Sequence, residues 1–187
     1  NPFHNGHLHH LNESKKMSHS DYSIAIMTGN FTQRGEPSIV DKWSKTKMAI
    51  ESGIDLVIEL PTVYSISSAE NFATGAIKIL DSLGIVDYLS FGSECNDISI
   101  LTDVADVLYN EPAEYKTLLA HELSKGESFP KAREKALMMY LNDVRRFANV
   151  LSSPNNILGI EYLKALKRQK SNITPITVKR EGSSHKD

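Results

Sequence analysis

Three short apolar runs, each closed by turn residues and each followed by a stretch of helical character, dominate the first half of this 187-residue chain. They are "YSIAIMTG" (residues 22–29), "DLVIELP" (55–61) and "VDYLSFG" (86–92). Compact apolar runs bounded in this way are buried strands. The intervals 41–53 and 68–83 have helical character, with Asp41 placed as an N-cap and Gly53 and Gly84 as stops. Strand and helix alternating at short spacing predict an α/β fold, a Rossmann-like, doubly wound parallel sheet.

Past Asn96 the pattern changes. Residues 98–109, 112–125, 130–149 and 155–170 give successive helical stretches, and "ITPITVKR" (173–180) returns to strand. The expected organisation is a Rossmann-like core over 1–96, a helical insertion over 97–170 and a return to the core over 171–187. Hydrophobic residues make up 40% of the chain and charged residues 24%, and no apolar run approaches the length of a bilayer crossing. With no visible signal peptide and one cysteine, Cys95, which excludes an internal disulfide, the expected setting is the cytoplasm, away from membranes. Charge is uneven: residues 1–100 carry 7 basic against 12 acidic side chains, residues 101–187 carry 14 against 11. The basic excess lies in the second half, at Arg145-Arg146 and in "KALKRQK" (164–170), where it could meet nucleic-acid phosphates or form a solvated helix face.

Doubly wound sheets bind ligands outside the carboxyl ends of their strands. Four stretches fall at such ends: the opening "HNGH", "TGNFTQRGEP", "GSE" after Phe91, and Arg180 with "EGSSHKD". A strand feeding a glycine-containing turn and then a helix makes an anion site, because free N–H groups and the helix dipole converge there. Gly6 admits a phosphate close to the backbone, and His4 and His7 can donate to its oxygens. A transition-metal site over His4, His7, His9 and His10 would lack an acidic or cysteine partner at useful spacing. An expression-tag remnant fits poorly with the interleaved Asn, Gly and Leu, and an ordinary helix start with surface histidines is the plain alternative. "KMSHS" (16–20) resembles the KMSKS loop of class I aminoacyl-tRNA synthetases but ends the helix that HNGH begins, so it reads as a helix terminus.

Gln33 and Arg34 lie in a glycine-containing loop after a strand and suit a substrate or phosphate contact, with a surface salt bridge as the alternative. Lys42 and Lys47 read as solvated, and Trp43 as core or interface packing. Glu59 and Glu94 end strands and could reach magnesium through water or serve structural hydrogen bonds. Asn155, after "SSP", could cap a helix. Lys164, Lys167, Arg168 and Lys170 recur at helical spacing and suggest one basic face beside the site, a candidate for nucleic-acid backbone contacts.

Taken in order, "NPFHNGH", "TGNFTQRGEPSIVDKWSKTKMAIESGIDLVIELP", "FGSE", "SSPNNILGIEYLKAL" and "ITVKREGSSHKD" resemble the tRNA(Met) cytidine acetate ligase family, within the HxGH nucleotidyltransferase-like superfamily and its HUP-type fold. The resemblance implies ATP-dependent activation of acetate to acetyl-adenylate, with ATP and Mg2+ as cofactors. Transfer of the acetyl group to N4 of the wobble cytidine of elongator tRNA(Met) would follow. It also implies ATP contacts from Asn1, Pro2, Phe3, His4, Asn5, Gly6, His7, Gly92, Asn155 and Arg180, with His4 and His7 catalytic. The family pattern starts with a strand before Asn1 and continues past Asp187, and Ser184 stands where a tyrosine is frequent, so truncation at both ends is expected. Two other functions share these motifs: adenylylation of a phosphorylated coenzyme precursor, and a non-catalytic ATP- or RNA-binding module.

Overall fold

In the computed structural model, which describes residues 2–180, α1 (Asn5–Ser18) leads into β1 (Ile24–Thr28), α2 (Lys42–Glu51) and β2 (Leu56–Leu60). A single turn, α3 (Thr62–Ser65), then α4 (Ala69–Leu83) and β3 (Tyr88–Ser93) follow. Next come α5 (Ile98–Asn110), α6 (Ala113–Ser124), α7 (Phe129–Tyr140), α8 (Val144–Phe147) and α9 (Pro154–Gln169), before β4 (Thr174–Lys179). Local chemistry sets these limits. Asp41 accepts from the Trp43 and Ser44 amides to start α2, and Ser68 accepts from the Asn71 amide to start α4, which closes at Gly84. On α4 the buried residues Ala73, Ala76, Ile77 and Leu80 fall on one helical face.

The parallel α/β architecture expected from the sequence is present. Among the described residues its strands form two parallel pairs, β1 with β2 and β3 with β4. The first pair aligns Ile24 with Leu56 and Thr28 with Leu60; the second aligns Tyr88 with Thr174 and Ser93 with Lys179. Side chains of β1 alternate in destination, as a pleated strand requires. Ile24 and Ile26 pack on a large apolar cluster built from α4, β3, α5 and α9, whereas Ala25 and Met27 pack on a small one around Leu11, Ala49 and Ile54.

Helix α1 touches both pairs. Its Leu11 joins the small cluster and Lys15 pairs with Asp55 at 3.1 Å, while His10 and Ser14 meet Ser90 of β3 at 2.9 and 2.6 Å. The helix ends at Ser18 with His19 left-handed, which confirms "KMSHS" as a terminus. Within residues 97–170, α5 and α9 lie against α4 and the second strand pair, and α6 packs on α7. The helical stretch expected over 130–149 is broken after Tyr140, where Asn142 takes φ 52° and Asn149 φ 62°. Asparagine tolerates that region, so the apolar spacing alone did not reveal the break.

Candidate functional site

The turn that opens α1 is fixed by its own histidines. His4 is the N-cap, and its Nδ1 accepts from the Gly6 amide at 3.1 Å. The Nδ1 of His7 accepts from the His4 amide at 3.3 Å, closing a reciprocal capping box. Both rings therefore use Nδ1 as acceptor, which in the neutral imidazole leaves Nε2–H as the donor. The rings stack with centroids 3.8 Å apart and planes 24° apart, so the two donors work side by side. A Cβ on Gly6 would lie 3.0 Å from Cε1 of His4, so a side chain at residue 6 would push the ring off the turn by a few tenths of an ångström. The first turn of α1 carries no acidic residue, and nothing there opposes an anion at the positive end of the helix.

His7 has its pKa lowered to about 4, first by partial removal from water and then by the neighbouring His4 and His10, with Arg180 also acting in that direction. Arg180 is thus electrostatically coupled to the turn. Its side chain runs across Gly92, where an added Cβ would meet its Cγ at 3.3 Å, and its amide donates to the Ser93 carbonyl at 3.2 Å. The structure brings His4, Gly6, His7, Gly92 and Arg180 to one end of the strands. Pro2 and Phe3 enter the turn, Phe3 packing on the small cluster and lying 5.3 Å from the His7 ring. Asn1 and the stretch "EGSSHKD" lie outside the described residues.

Asn155 reaches the same end of β3, but its amide group is engaged by Glu94. The Glu94 carboxylate accepts from Asn155 Nδ2 at 2.6 Å and from the Asn155 and Asn156 amides at 3.2 and 2.9 Å, sealing the N-terminus of α9. Burial alone would raise the Glu94 pKa; these hydrogen bonds outweigh it and hold the group below the usual range. The buried Asn156 returns the contact, its Oδ1 accepting from the Glu94 and Cys95 amides at 2.9 and 3.2 Å. Glu59 pairs with Lys42 at 2.7 Å. Both carboxylates considered for magnesium thus have protein partners, and among the described residues no group of three His, Cys, Asp or Glu could hold a metal ion.

Gln33 and Arg34 sit in the loop between β1 and α2, which is tied across Phe31 and Pro37 and turns at Gly35 with φ 78°. Arg34 is exposed at its tip and makes no ion pair among the described residues. The loop is anchored from below by Lys45, which sequence reasoning missed. It is buried, donates to the carbonyls of Thr28 and Gly29 and to Ser38, and its pKa is lowered by that burial. No spacing signal distinguishes such a lysine from its solvated neighbours. Trp43 is not in the core; it is 75% exposed.

The basic face expected beside the site does not form there. Lys164 is largely buried against Glu161 at 2.8 Å, Lys167 pairs with Asp106 of α5, and Arg168 pairs with Glu70 of α4 at 2.7 Å. These residues and Lys170 lie at the carboxyl end of α9, whereas Asn155 and Asn156 at its amino end face the site. At 1.5 Å per residue the helix rises ~12 Å from Asn156 to Lys164 and ~21 Å to Lys170. Carboxylates on α4 and α5 claim Arg168 and Lys167 and tie the helices together, while Glu161 of α9 itself holds Lys164.

Residues 1–187 match the sequence profile of a family described as HIGH nucleotidyl transferase. A tRNA(Met) cytidine acetate ligase of Thermoanaerobacter sp. (strain X514) is 57% identical over 183 residues, covering 98% of this chain and 45% of the relative. One of Acetivibrio thermocellus is 56% identical over 180 residues, covering 96% and 43%. The crystal structure of apo Thermotoga maritima TmcAL superposes with a TM-score of 0.93 at 45% identity, over 100% of this chain and 45% of that one. The form bound with alpha-thio ATP gives 0.91, over 98% and 46%. The chain spans somewhat less than half the length of these relatives. No helix among the described residues is long and apolar enough to cross a membrane.

Proposed function

The chain belongs to the HIGH nucleotidyl transferase family, and from that premise we propose that the protein activates acetate with ATP and acetylates a cytidine of tRNA(Met). The observation that carries the reading is the stacked His4–His7 pair, whose Nδ1 atoms are committed to the backbone so that both Nε2–H groups serve an anion. Its relatives are named for that ligation, and one was solved with an ATP analogue.

In the first step an acetate oxygen attacks the α-phosphorus of ATP, a P–O bond to the β-phosphate breaks, and pyrophosphate leaves. Little covalent help is needed, so positioning and neutralisation of charge supply the catalysis. His4 and His7 donate to phosphate oxygens at the positive end of α1. The Arg180 cation, whose aliphatic stem lies over Gly92, offsets the charge that builds on the nucleotide. In the second step the cytidine N4 attacks the acetyl carbon, AMP leaves and the amine gives up one proton. Gln33 and Arg34, on the loop after β1, are placed for the incoming acid or RNA. Asn155, held by Glu94, frames the nucleotide from α9. The described carboxylates do not fit a protein-held magnesium site, since Glu59 and Glu94 are engaged, and no step is assigned to the ion.

ATP–pyrophosphate exchange measured with the full-length protein tests the reading. Exchange that requires acetate, followed by movement of labelled acetate onto a cytidine of tRNA, is the expected result. Exchange driven instead by a phosphorylated coenzyme precursor, with no label on tRNA, contradicts it.

A further inference from the structure

Trp43 is the sole tryptophan of the chain, and α2 holds it with 75% of its surface in water. An indole left outside forgoes a large burial gain, and exposed aromatic rings with apolar walls beside them are characteristic of recognition surfaces. Here the indole borders a pocket of about 210 Å³ whose apolar wall is Met27 and Val57 and whose polar wall is Lys42 and Glu59. Ile39, just before α2, and Val63, just after β2, are also exposed, at 79% and 70%.

The polar wall retains bonding capacity. Lys42 and Glu59 pair at 2.7 Å with about a third or more of each side chain in solvent, and the ammonium lies 5.4 Å from the indole centre. An ammonium has three donors and a carboxylate two acceptor oxygens, so one ion pair leaves both a donor and an acceptor to offer. Met27 and Val57 belong to the apolar cluster that also takes Phe3, the residue before His4. The pocket and the phosphate turn are therefore linked through one apolar cluster.

We propose that this pocket receives one unpaired nucleobase of the RNA substrate, stacked on Trp43 with its Watson–Crick edge toward Lys42 and Glu59. The inference rests on the RNA-acylating reading above and names where that RNA is gripped. Single-stranded RNA is read by splaying bases onto aromatic faces and bonding their free edges. Each nucleobase sets a donor beside an acceptor on that edge, which a lysine and a carboxylate side by side complement. A base already paired in a duplex has neither face nor edge to give. The volume admits one planar base.

The test uses the full-length protein and its Trp43→Phe variant, whose emission difference isolates the Trp43 signal. A short unstructured RNA should quench that signal, and the same RNA annealed to its complement should not. Trp43→Ala should raise the KM for tRNA about tenfold, the scale of one lost base stack, and Trp43→Tyr should recover most of it. An unchanged signal with single-stranded RNA overturns the inference. So does a Trp43 emission already shifted to the blue before RNA is added, which would mean that another part of the protein covers the ring. Acetate-dependent exchange by the unaltered protein is measured in parallel. If it holds while Trp43→Ala keeps its tRNA KM, the pocket is wrong and the ligase reading stands; if it fails while RNA still quenches, the reverse is true.

Discussion

His4 and His7 spend one ring nitrogen each on the backbone, and under the proposed function this arrangement sets the proton balance of nucleotide binding. In the free protein His7 has a pKa of about 4 against an ordinary 6.5. The unfolded chain therefore binds more protons between those values, and the contribution of His7 to stability falls as pH drops from about 6.5 towards 4. Because the ring is open on one side, that contribution is modest. A triphosphate at Nε2 favours the charged imidazole and raises the pKa, and the added proton goes to Nδ1, which then gives up its bond from the His4 amide as pH falls. ATP binding near pH 5.5 should accordingly take up protons, seen by titration calorimetry in buffers of different ionisation enthalpy, and His7→Gln should reduce the uptake. Equal uptake by the variant would show that His7 does not meet the phosphates. The histidine–glycine spacing made this turn legible in the sequence; the lowered pKa of His7 and the acceptor role that both Nδ1 atoms share were not, since they depend on the fold of the turn itself.

At the scale of elements, the junction of β3 with α9 fixes the carboxyl end of β3, where Gly92 lies. Glu94 seals the start of α9, and Asn156 holds the Glu94 and Cys95 amides in return. Replacing Asn156 by Ala strands two amides, at about 1–3 kcal/mol for each that is left unpaired. Asn156→Ala should therefore lower the melting temperature by about 5–10 °C, and Asn155→Ala, whose side chain meets Glu94 nearer the surface, by clearly less. Equal losses would contradict the assignment. The sequence offered two adjacent asparagines after "SSP" with no means of telling which points inward. Lys164, Lys167 and Arg168 pose the same difficulty: their helical spacing was legible, but their partners Asp106 and Glu70 come from helices remote in sequence. The limits of α2 and α4 were read closely, because Asp41, Ser68 and Gly84 act through neighbours in the chain.

Over the whole molecule, α1 carries the histidine turn while touching both strand pairs. One face is held to the small cluster by Leu11 and to Asp55 by Lys15; the other meets Ser90 through His10 and Ser14. Strand–helix alternation made the parallel α/β class legible, since it depends only on spacing and burial. How the strands divide into two pairs, and which helices close over them, depends on long-range contacts that no local pattern encodes. The central claim is that the amino end of α1 grips the triphosphate. The most direct measurement is a crystal structure of the full-length protein with a non-hydrolysable ATP analogue. The account predicts phosphate oxygens at hydrogen-bond distance, ~2.7–3.2 Å, from Nε2 of His4 and of His7, with the Arg180 side chain turned toward them. Phosphates bound away from that turn, with both imidazoles facing solvent, would contradict it.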